Sequence, residues 1–192
     1  TLHFTFGSSV MMDFVKNWLH FITAPGTALS PYLVGAADAG LLKFCDEHSI
    51  PAAAIIPELD VWTYTRKPRA KGEVYEMKSD WKYFRHHNSD FLEMGLVKVA
   101  FLWELLSMGF SVLISDLDVV WLNGHWQRWM TWADAANPPV KEGHLIALAD
   151  VLVTTDELSA ERDARGGTPG MGTDLNTGVV YFRGTNGSLA MV

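Results

Sequence analysis

An uninterrupted apolar run that ends on two carboxylates constrains this chain more than any other feature. Val112-Leu113-Ile114-Ser115 leads into Asp116-Leu117-Asp118, and Val119-Val120-Trp121-Leu122 follows at once. A continuous apolar run bounded by polar residues predicts a fully buried, parallel strand. Open α/β sheets present their ligands at the carboxyl ends of such strands, which is where Asp116 and Asp118 fall. In extended backbone, residues i and i+2 point to the same side, so the two carboxylates can converge on one cation. Hard oxygen ligands of this kind suit Mg²⁺ or Mn²⁺, which also hold phosphates. The plainer alternative is a pair of solvated loop aspartates that end a strand by chance. Against it stands the rarity of Asp beside buried β segments.

The 192 residues suffice for one domain with a sizeable core. A hydrophobic share of 48% and a charged share of 19% describe an ordinary globular chain. A net charge of −7 argues against a general nucleic-acid binder, which needs a basic face. Cys45 is the only cysteine, so no internal disulfide can form and the redox compartment stays open. No apolar run reaches the length of a membrane span, and Thr1 does not open a signal peptide. The expectation is a single domain over residues 1–192, an excised segment with any anchor or targeting region outside it.

Local patterns place strands at Leu2 to Gly7, Tyr32 to Ala36 and Ile50 to Ile56. Between them run a helix striped by Met11, Phe14, Val15, Trp18, Leu19 and Ile22, stopped by Pro25-Gly26, and a second helix from Ala39 to His48. This alternation predicts βαβ units and a parallel sheet. Pro57 to Ser89 breaks the rhythm with Arg66, Lys67, Arg69, Lys71, Lys78, Lys82 and Arg85 interleaved with aromatics. It reads either as a flap that meets an anionic ligand or extended acceptor, or as a solvated surface insertion. Asp90-Phe91-Leu92-Glu93 resembles a capping box opening a helix to Met108, with Gly109 at its C′ position. That helix is apolar nearly all round and is expected to be buried. Lys98 in its middle either snorkels to the surface or faces an anion. As a lone cation among apolar neighbours it is expected to face the acidic pocket. The next strand is placed at Phe110 to Ser115.

Trp126, Trp129 and Trp132 mark one face of a short helix, a row that more often packs than binds sugar. Leu145 to Ala149 and Val151 to Thr155 read as strands, Ala160 to Thr173 as a Gly-rich loop, and Asp174 to Arg183 as a polar turn entering an apolar strand. Asn186-Gly187-Ser188 is an N-glycosylation acceptor pattern.

The zinc-protease, CxxC and GxSxG patterns are absent, and the histidines lack metal-ligand spacing. An EF-hand fails because Val120 and Leu122 stand where oxygen ligands are needed. Two readings of Asp116-x-Asp118 survive. In one the pair holds a divalent cation that bridges the diphosphate of a nucleotide-sugar and stabilises charge on the leaving group. In the other Asp116 is a phosphoryl-accepting nucleophile and Asp118 its acid/base. Asp116-x-Asp118-x-Val120 after an apolar strand also resembles the first motif of haloacid dehalogenase-type phosphatases. Those enzymes start near this motif, whereas more than half of this chain precedes it.

Taken together, the motifs resemble the nucleotide-diphospho-sugar transferase family that includes plant cell-wall arabinosyl- and xylosyltransferases. The matching pieces run in family order. They are Met12-Asp13-Phe14-Val15-Lys16-Asn17-Trp18, Leu33-Val34-Gly35-Ala36-Ala37-Asp38, Lys98, Ser115-Asp116-Leu117-Asp118-Val119-Val120-Trp121-Leu122, Ala149-Asp150-Val151-Leu152-Val153-Thr154-Thr155-Asp156, and Asn176-Thr177-Gly178-Val179.

The resemblance implies an α/β, GT-A-like, mostly parallel sheet flanked by helices. It also implies a retaining glycosyltransferase that uses a UDP-sugar with Mn²⁺ or Mg²⁺, acts on a glycan or glycoprotein acceptor, and resides in the Golgi lumen as the catalytic segment of a membrane-anchored protein. Arabinose, xylose or galactose is the sugar implied. Asp116 and Asp118 would be the metal-binding pair, with Leu117 between them at the donor. Phe6, Gly7 and Ser8 would border the nucleotide base, and Lys98 would face the donor. Asp156 and Asn176-Thr177-Gly178 would line the transferred sugar, with Asp156 and Asn176 the candidates for the catalytic centre. Related enzymes supply a further metal ligand, usually a histidine, downstream of the Asn-x-Gly strand. The chain stops at Val192, so the C-terminal part of the domain is expected to be missing. A non-catalytic sugar-nucleotide-binding remnant is the third possibility.

Overall fold

The structure, a computed structural model, describes residues 1–27, 31–54, 59–60, 65–66, 77, 79, 81–82, 88–124, 146–155, 161 and 175–192. Strand β1 (Leu2–Gly7) and a 3-10 turn (Ser9–Met11) lead into helix α1 (Met12–Thr23). Strand β2 (Tyr32–Ala36), helix α2 (Ala39–Glu47) and strand β3 (Ala52–Ala54) follow. The short strands β4 (Leu59–Asp60) and β5 (Thr65–Arg66) pair antiparallel as a separate ribbon. Helix α3 (Asn88–Ser107) precedes strand β6 (Val112–Ser115), and β7 (Val151–Thr155), β8 (Leu175–Phe182) and helix α4 (Asn186–Met191) complete the order.

One sheet of order β3-β2-β1-β6-β8-β7 carries the fold. β3, β2, β1 and β6 are mutually parallel, and β8 runs antiparallel to both β6 and β7. Only β8 therefore opposes the common direction. This is the mostly parallel α/β sheet flanked by helices, GT-A-like in architecture, that the sequence leads one to expect.

The period of two along each strand sorts side chains onto two faces. Leu2, Phe4, Val112, Ile114, Val180 and Phe182 join Val97, Phe101, Leu102, Leu105 and Leu106 of α3 in one core. On the other face Val34, Ala36 and Leu117 pack with Val15, Trp18 and Ile22 of α1 and Leu41 and Cys45 of α2. Gly35 lets the first core close. A Cβ there would lie 2.7 Å from Phe4 Cζ and 2.8 Å from Phe101 Cε2. The two rings meet over that gap with centroids 5.1 Å apart.

Caps set the helix ends. The Asp38 carboxylate accepts from Leu41 N at 2.8 Å to start α2, and from Ser9 N and Ser9 Oγ at 2.8 and 2.9 Å. It thus joins the entries of two helices. Helix α3 ends in a Schellman cap: Phe110 N donates to Leu105 O and Gly109 N to Leu106 O, with Gly109 at φ 83°. Helix α2 ends the same way through Ile50 N to Cys45 O and Ser49 N to Asp46 O, but there Ser49 takes the left-handed conformation at φ 54°.

Several expectations shift. Ile50 and Phe110 serve as the last cap residues of α2 and α3, so β3 starts at Ala52 and β6 at Val112. Asp90 lies inside the first turn of α3 rather than at its N-cap, and its carboxylate accepts from Lys82 N at 3.2 Å. Helix α3 is not buried all round. Phe91, Leu92, Val99 and Trp103 are exposed, because only one face of the helix meets the sheet. Residues 146–148 form a turn where a strand was expected. Arg183 gathers their flank, donating from Nη2 to Ile146 O and from Nε to Ala149 O. Within the basic 57–89 stretch, Trp81 is 6% exposed in the α3 core and donates from Nε1 to Ala37 O. That residue is anchored, not part of a solvated flap. The tryptophan row at 126–132 lies outside the described residues. Among the described residues no helix is long and apolar enough to cross a membrane.

Candidate functional site

Strands β1 and β6 are neighbours, Phe4 standing opposite Ile114. Their carboxyl ends therefore bring Phe6 beside the acidic pair. Strand β6 ends on Ser115, which is 1% exposed and held from both sides. Trp18 Nε1 donates to its Oγ at 2.9 Å, and Thr5 Oγ1 donates to its carbonyl at 2.8 Å. The base of the acidic motif is thereby fixed to α1 and β1.

From Ser115 the backbone turns. Asp116 N donates to Gly178 O at 2.8 Å, and Val119 N donates back to Asp116 O at 3.2 Å. Asp116 and Asp118 therefore do not share a side through strand alternation, as the i, i+2 spacing led one to expect. They share the same cleft because Leu117 between them turns inward. Leu117 is 2% exposed and packs in the α1–α2 core. Its Cδ1 lies 2.6 Å from where a Cβ on Gly7 would sit, so Gly7 provides the space that Leu117 fills.

Lys98 reaches into this site from α3. Its Nζ donates to Asp116 Oδ1 at 3.0 Å and to Thr177 O at 2.7 Å, and lies 5.8 Å from the Phe6 ring centroid. The Lys98 side chain is 16% exposed and that of Asp116 44%. The helix carries its lysine because the amine has both an anion and a carbonyl to bind, which offsets its desolvation.

Strand β8 supplies that carbonyl by an irregularity. Val153 pairs with Val180 but Thr154 pairs with Asn176, so Thr177, Gly178 and Val179 have no counterpart on β7. Thr154 Oγ1 spans the bulge, donating to Asn176 O at 3.1 Å or Val179 O at 3.2 Å. Asn176 Oδ1 accepts from Gly178 N at 2.6 Å and shapes the turn. A Cβ on Gly178 would lie 2.6 Å from that oxygen and 3.4 Å from Asp116 Oδ2.

The cleft that results has a volume of about 330 Å³. Phe6, Lys98, Asp116, Leu117, Asp118 and Thr177 line it among the residues singled out from sequence. Gly7 and Ser8 are buried behind it, Asn176 and Gly178 shape the bulge beside it, and Asp156 lies outside the described residues. The rest of the wall is apolar: Met11 from the 3-10 turn, Phe14 from α1, and Phe91, Leu92, Met94 and Gly95 from α3. Sequence reasoning reads Met11 and Phe14 as a helix stripe, and Phe91, Leu92 and Met94 as part of a helix buried all round. A topological signal was present, because α1 follows a strand and α3 precedes one, so both helices start at the carboxyl edge of the sheet.

The donor set fits a hard divalent cation. Mg²⁺-type ions are held by one or two carboxylates, with phosphate and water completing the shell. Here Asp118 is exposed and Asp116 Oδ2 is left over by Lys98. Among the described residues no third His, Cys, Asp or Glu joins them.

Comparison with known proteins adds three findings. A protein-family model described as nucleotide-diphospho-sugar transferase matches residues 27–192, a span that includes Lys98, Asp116, Asp118 and the β8 bulge but not Phe6. An arabinosyltransferase of Arabidopsis thaliana is 25% identical over 183 residues, 94% of the chain, and the chain spans 23% of that protein's length. No solved structure is significantly similar.

Proposed function

The chain belongs to the nucleotide-diphospho-sugar transferase family, and on that premise we propose that its protein is a metal-dependent, retaining glycosyltransferase. In this reading it moves a sugar, arabinose, xylose or galactose, from a UDP-sugar to a glycan or glycoprotein acceptor. The same reading places it in the Golgi lumen as the catalytic segment of a membrane-anchored protein.

The observation that carries the reading is the pair Asp116 and Asp118 at the carboxyl end of β6, lining one cleft with Lys98. Asp118 and the Oδ2 of Asp116 would hold Mn²⁺ or Mg²⁺. When bound, that ion supplies Lewis-acid stabilisation of charge on the departing diphosphate. The protein's own residues do the rest. Lys98 adds a fixed positive charge at the same point, in a cleft whose apolar wall thins the surrounding water and strengthens each charge interaction. Phe6 offers a ring face to the base or ribose. Thr177 is set at the cleft by the bulge, and Asn176 holds that bulge, so Asn176 is a positioning residue in this scheme. Asp156 remains the candidate for contact with the transferred sugar.

Calorimetry of the full-length protein with UDP, with and without Mn²⁺, tests the proposal. UDP binding is expected to require the metal, and Asp118→Asn to weaken it strongly, since the amide keeps the size but loses the anion the cation needs. A phosphatase would behave otherwise. Asp116→Asn would then abolish phosphate release from a generic phosphoester, and UDP would show no special affinity.

A further inference from the structure

We infer that Lys98 is an internal cation that occupies Asp116 in the absence of ligand, so that the divalent cation and the diphosphate bind as a coupled pair. The inference rests on the glycosyltransferase reading and assigns it an order of binding.

The lysine is held in place at two points. Its Nζ lies 3.0 Å from Asp116 Oδ1 and 2.7 Å from Thr177 O, and its side chain is 16% exposed. Swinging out to water would cost it both bonds, while α3, packed on the sheet through Val97 and Phe101, fixes the backbone from which it reaches. A divalent cation arriving alone at Asp116 therefore meets a carboxylate already neutralised, with a unit positive charge a few ångströms away. Among the described residues that line the cleft, the remaining anion is Asp118. A diphosphate changes the balance, because its oxygens accept from the ammonium and ligate the cation together. Metal without nucleotide should bind weakly, and each ligand should strengthen the other by the same factor, as linkage requires.

Removing the lysine's charge should reverse the first half of this. In Lys98→Met the apolar stem is kept and Asp116 is freed. Affinity for Mn²⁺ alone should then rise by roughly tenfold, the scale of one unit charge at a few ångströms in a solvated site. Affinity for UDP in the presence of Mn²⁺ should fall, so the coupling factor shrinks from both ends. Lys98→Arg keeps the charge and should retain the coupling.

The test is Mn²⁺ binding to the full-length protein by electron paramagnetic resonance, with and without UDP, for wild type, Lys98→Met and Lys98→Arg. A thermal melt and a circular dichroism spectrum confirm that each variant is folded. Tighter binding of Mn²⁺ alone to Lys98→Met, with the coupling reduced there and kept in Lys98→Arg, supports the inference. If wild type couples Mn²⁺ to UDP but Lys98→Met binds Mn²⁺ alone no better than wild type, the lysine's role is overturned and the site reading stands. If wild type binds no Mn²⁺ even with UDP, the site reading fails and this inference with it.

Discussion

All three of Asp116, Leu117 and Asp118 line the cleft, but Leu117 is buried in the core beneath it, so the three residues divide one task among them. The apolar side chain anchors the turn, and the carboxylates are held out from it. Gly7 and Gly178 are the spaces that make this possible, one beneath Leu117 and one beside Asp116 Oδ2. Gly178→Ala should expel Asn176 Oδ1 from its turn. Metal-dependent UDP affinity is then expected to fall about tenfold, the equivalent of one hydrogen bond left unmade. Titration calorimetry reads the loss, and a melting temperature near that of wild type separates it from unfolding.

Lys98 shows what was legible at this scale. A lone cation in an apolar helix calls for an anion, and the sequence offered an acidic pair to supply it. That the pair would sit on a turn, and that Thr177 would give its carbonyl to the same amine, depends on a β8 bulge with no sequence signature.

Cys45 yields a prediction of another kind. Burial pushes its thiol up from the ordinary 9.0. Below that pH the thiol is protonated in both folded and unfolded chains, and its contribution to stability is intact. As pH rises past 9.0 the unfolded chain ionises first, and stability is lost up to the raised folded value. Wild type should therefore lose more stability between pH 8 and pH 10 than Cys45→Ala, as urea titrations at the two pH values would show.

Among the elements, α3 contributes more buried residues to one core than any other and supplies one wall of the cleft. Phe101 is 1% exposed, its ring packed against that of Phe4 on the sheet. Phe101→Ala is expected to cost about 3–5 kcal/mol, measured by urea unfolding. Helix α2 points the other way, toward a gain. Ser49 occupies a left-handed C′ position that glycine takes without steric strain. Ser49→Gly is expected to raise stability by up to about 1 kcal/mol, which a modest rise in melting temperature would register.

The glycosylation pattern has a second explanation at this level. Thr185 Oγ1 accepts from Ser188 N at 3.2 Å to cap α4, Ser188 is fully buried, and its Oγ donates to Asp150 O at 2.8 Å. Only Asn186 of the pattern's two key side chains is open to solvent. A glycan on Asn186 would have to be added before α4 folds.

The alternation of strands and helices was readable because each helix had an apolar stripe and each strand a short, bounded run. The errors fell where a hydrophobic residue caps a helix, as Ile50 and Phe110 do, since a cap contact and a strand start look alike in sequence. The all-round apolar character of α3 misled for a related reason. Composition does not separate a helix buried on every side from one that lends apolar residues to a cleft.

Across the whole molecule, β1 is where the sheet changes sides. The chain leaves β1 through α1 to reach β2, on one flank, and returns through α3 to β6 on the other. Helices α1 and α3 accordingly cover opposite faces, and a crevice opens between their first turns at the carboxyl edge. Parallel sheets place ligands at such a switch point, which accounts for a cleft at this position without appeal to any single residue. The acidic pair then lends it chemistry. Position and pair were both legible from the sequence, whereas the reversed strand β8, which closes the far side, was readable only as a strand of unknown direction.

Crystals of the full-length protein grown with UDP and Mn²⁺, measured at the manganese absorption edge, test the central claim most directly. The expected result is an anomalous peak within about 2.5 Å of an Asp118 carboxylate oxygen, with the diphosphate density in the cleft between Asp116 and Lys98. UDP bound elsewhere, or bound in this cleft with no manganese peak at the acidic pair, would contradict it.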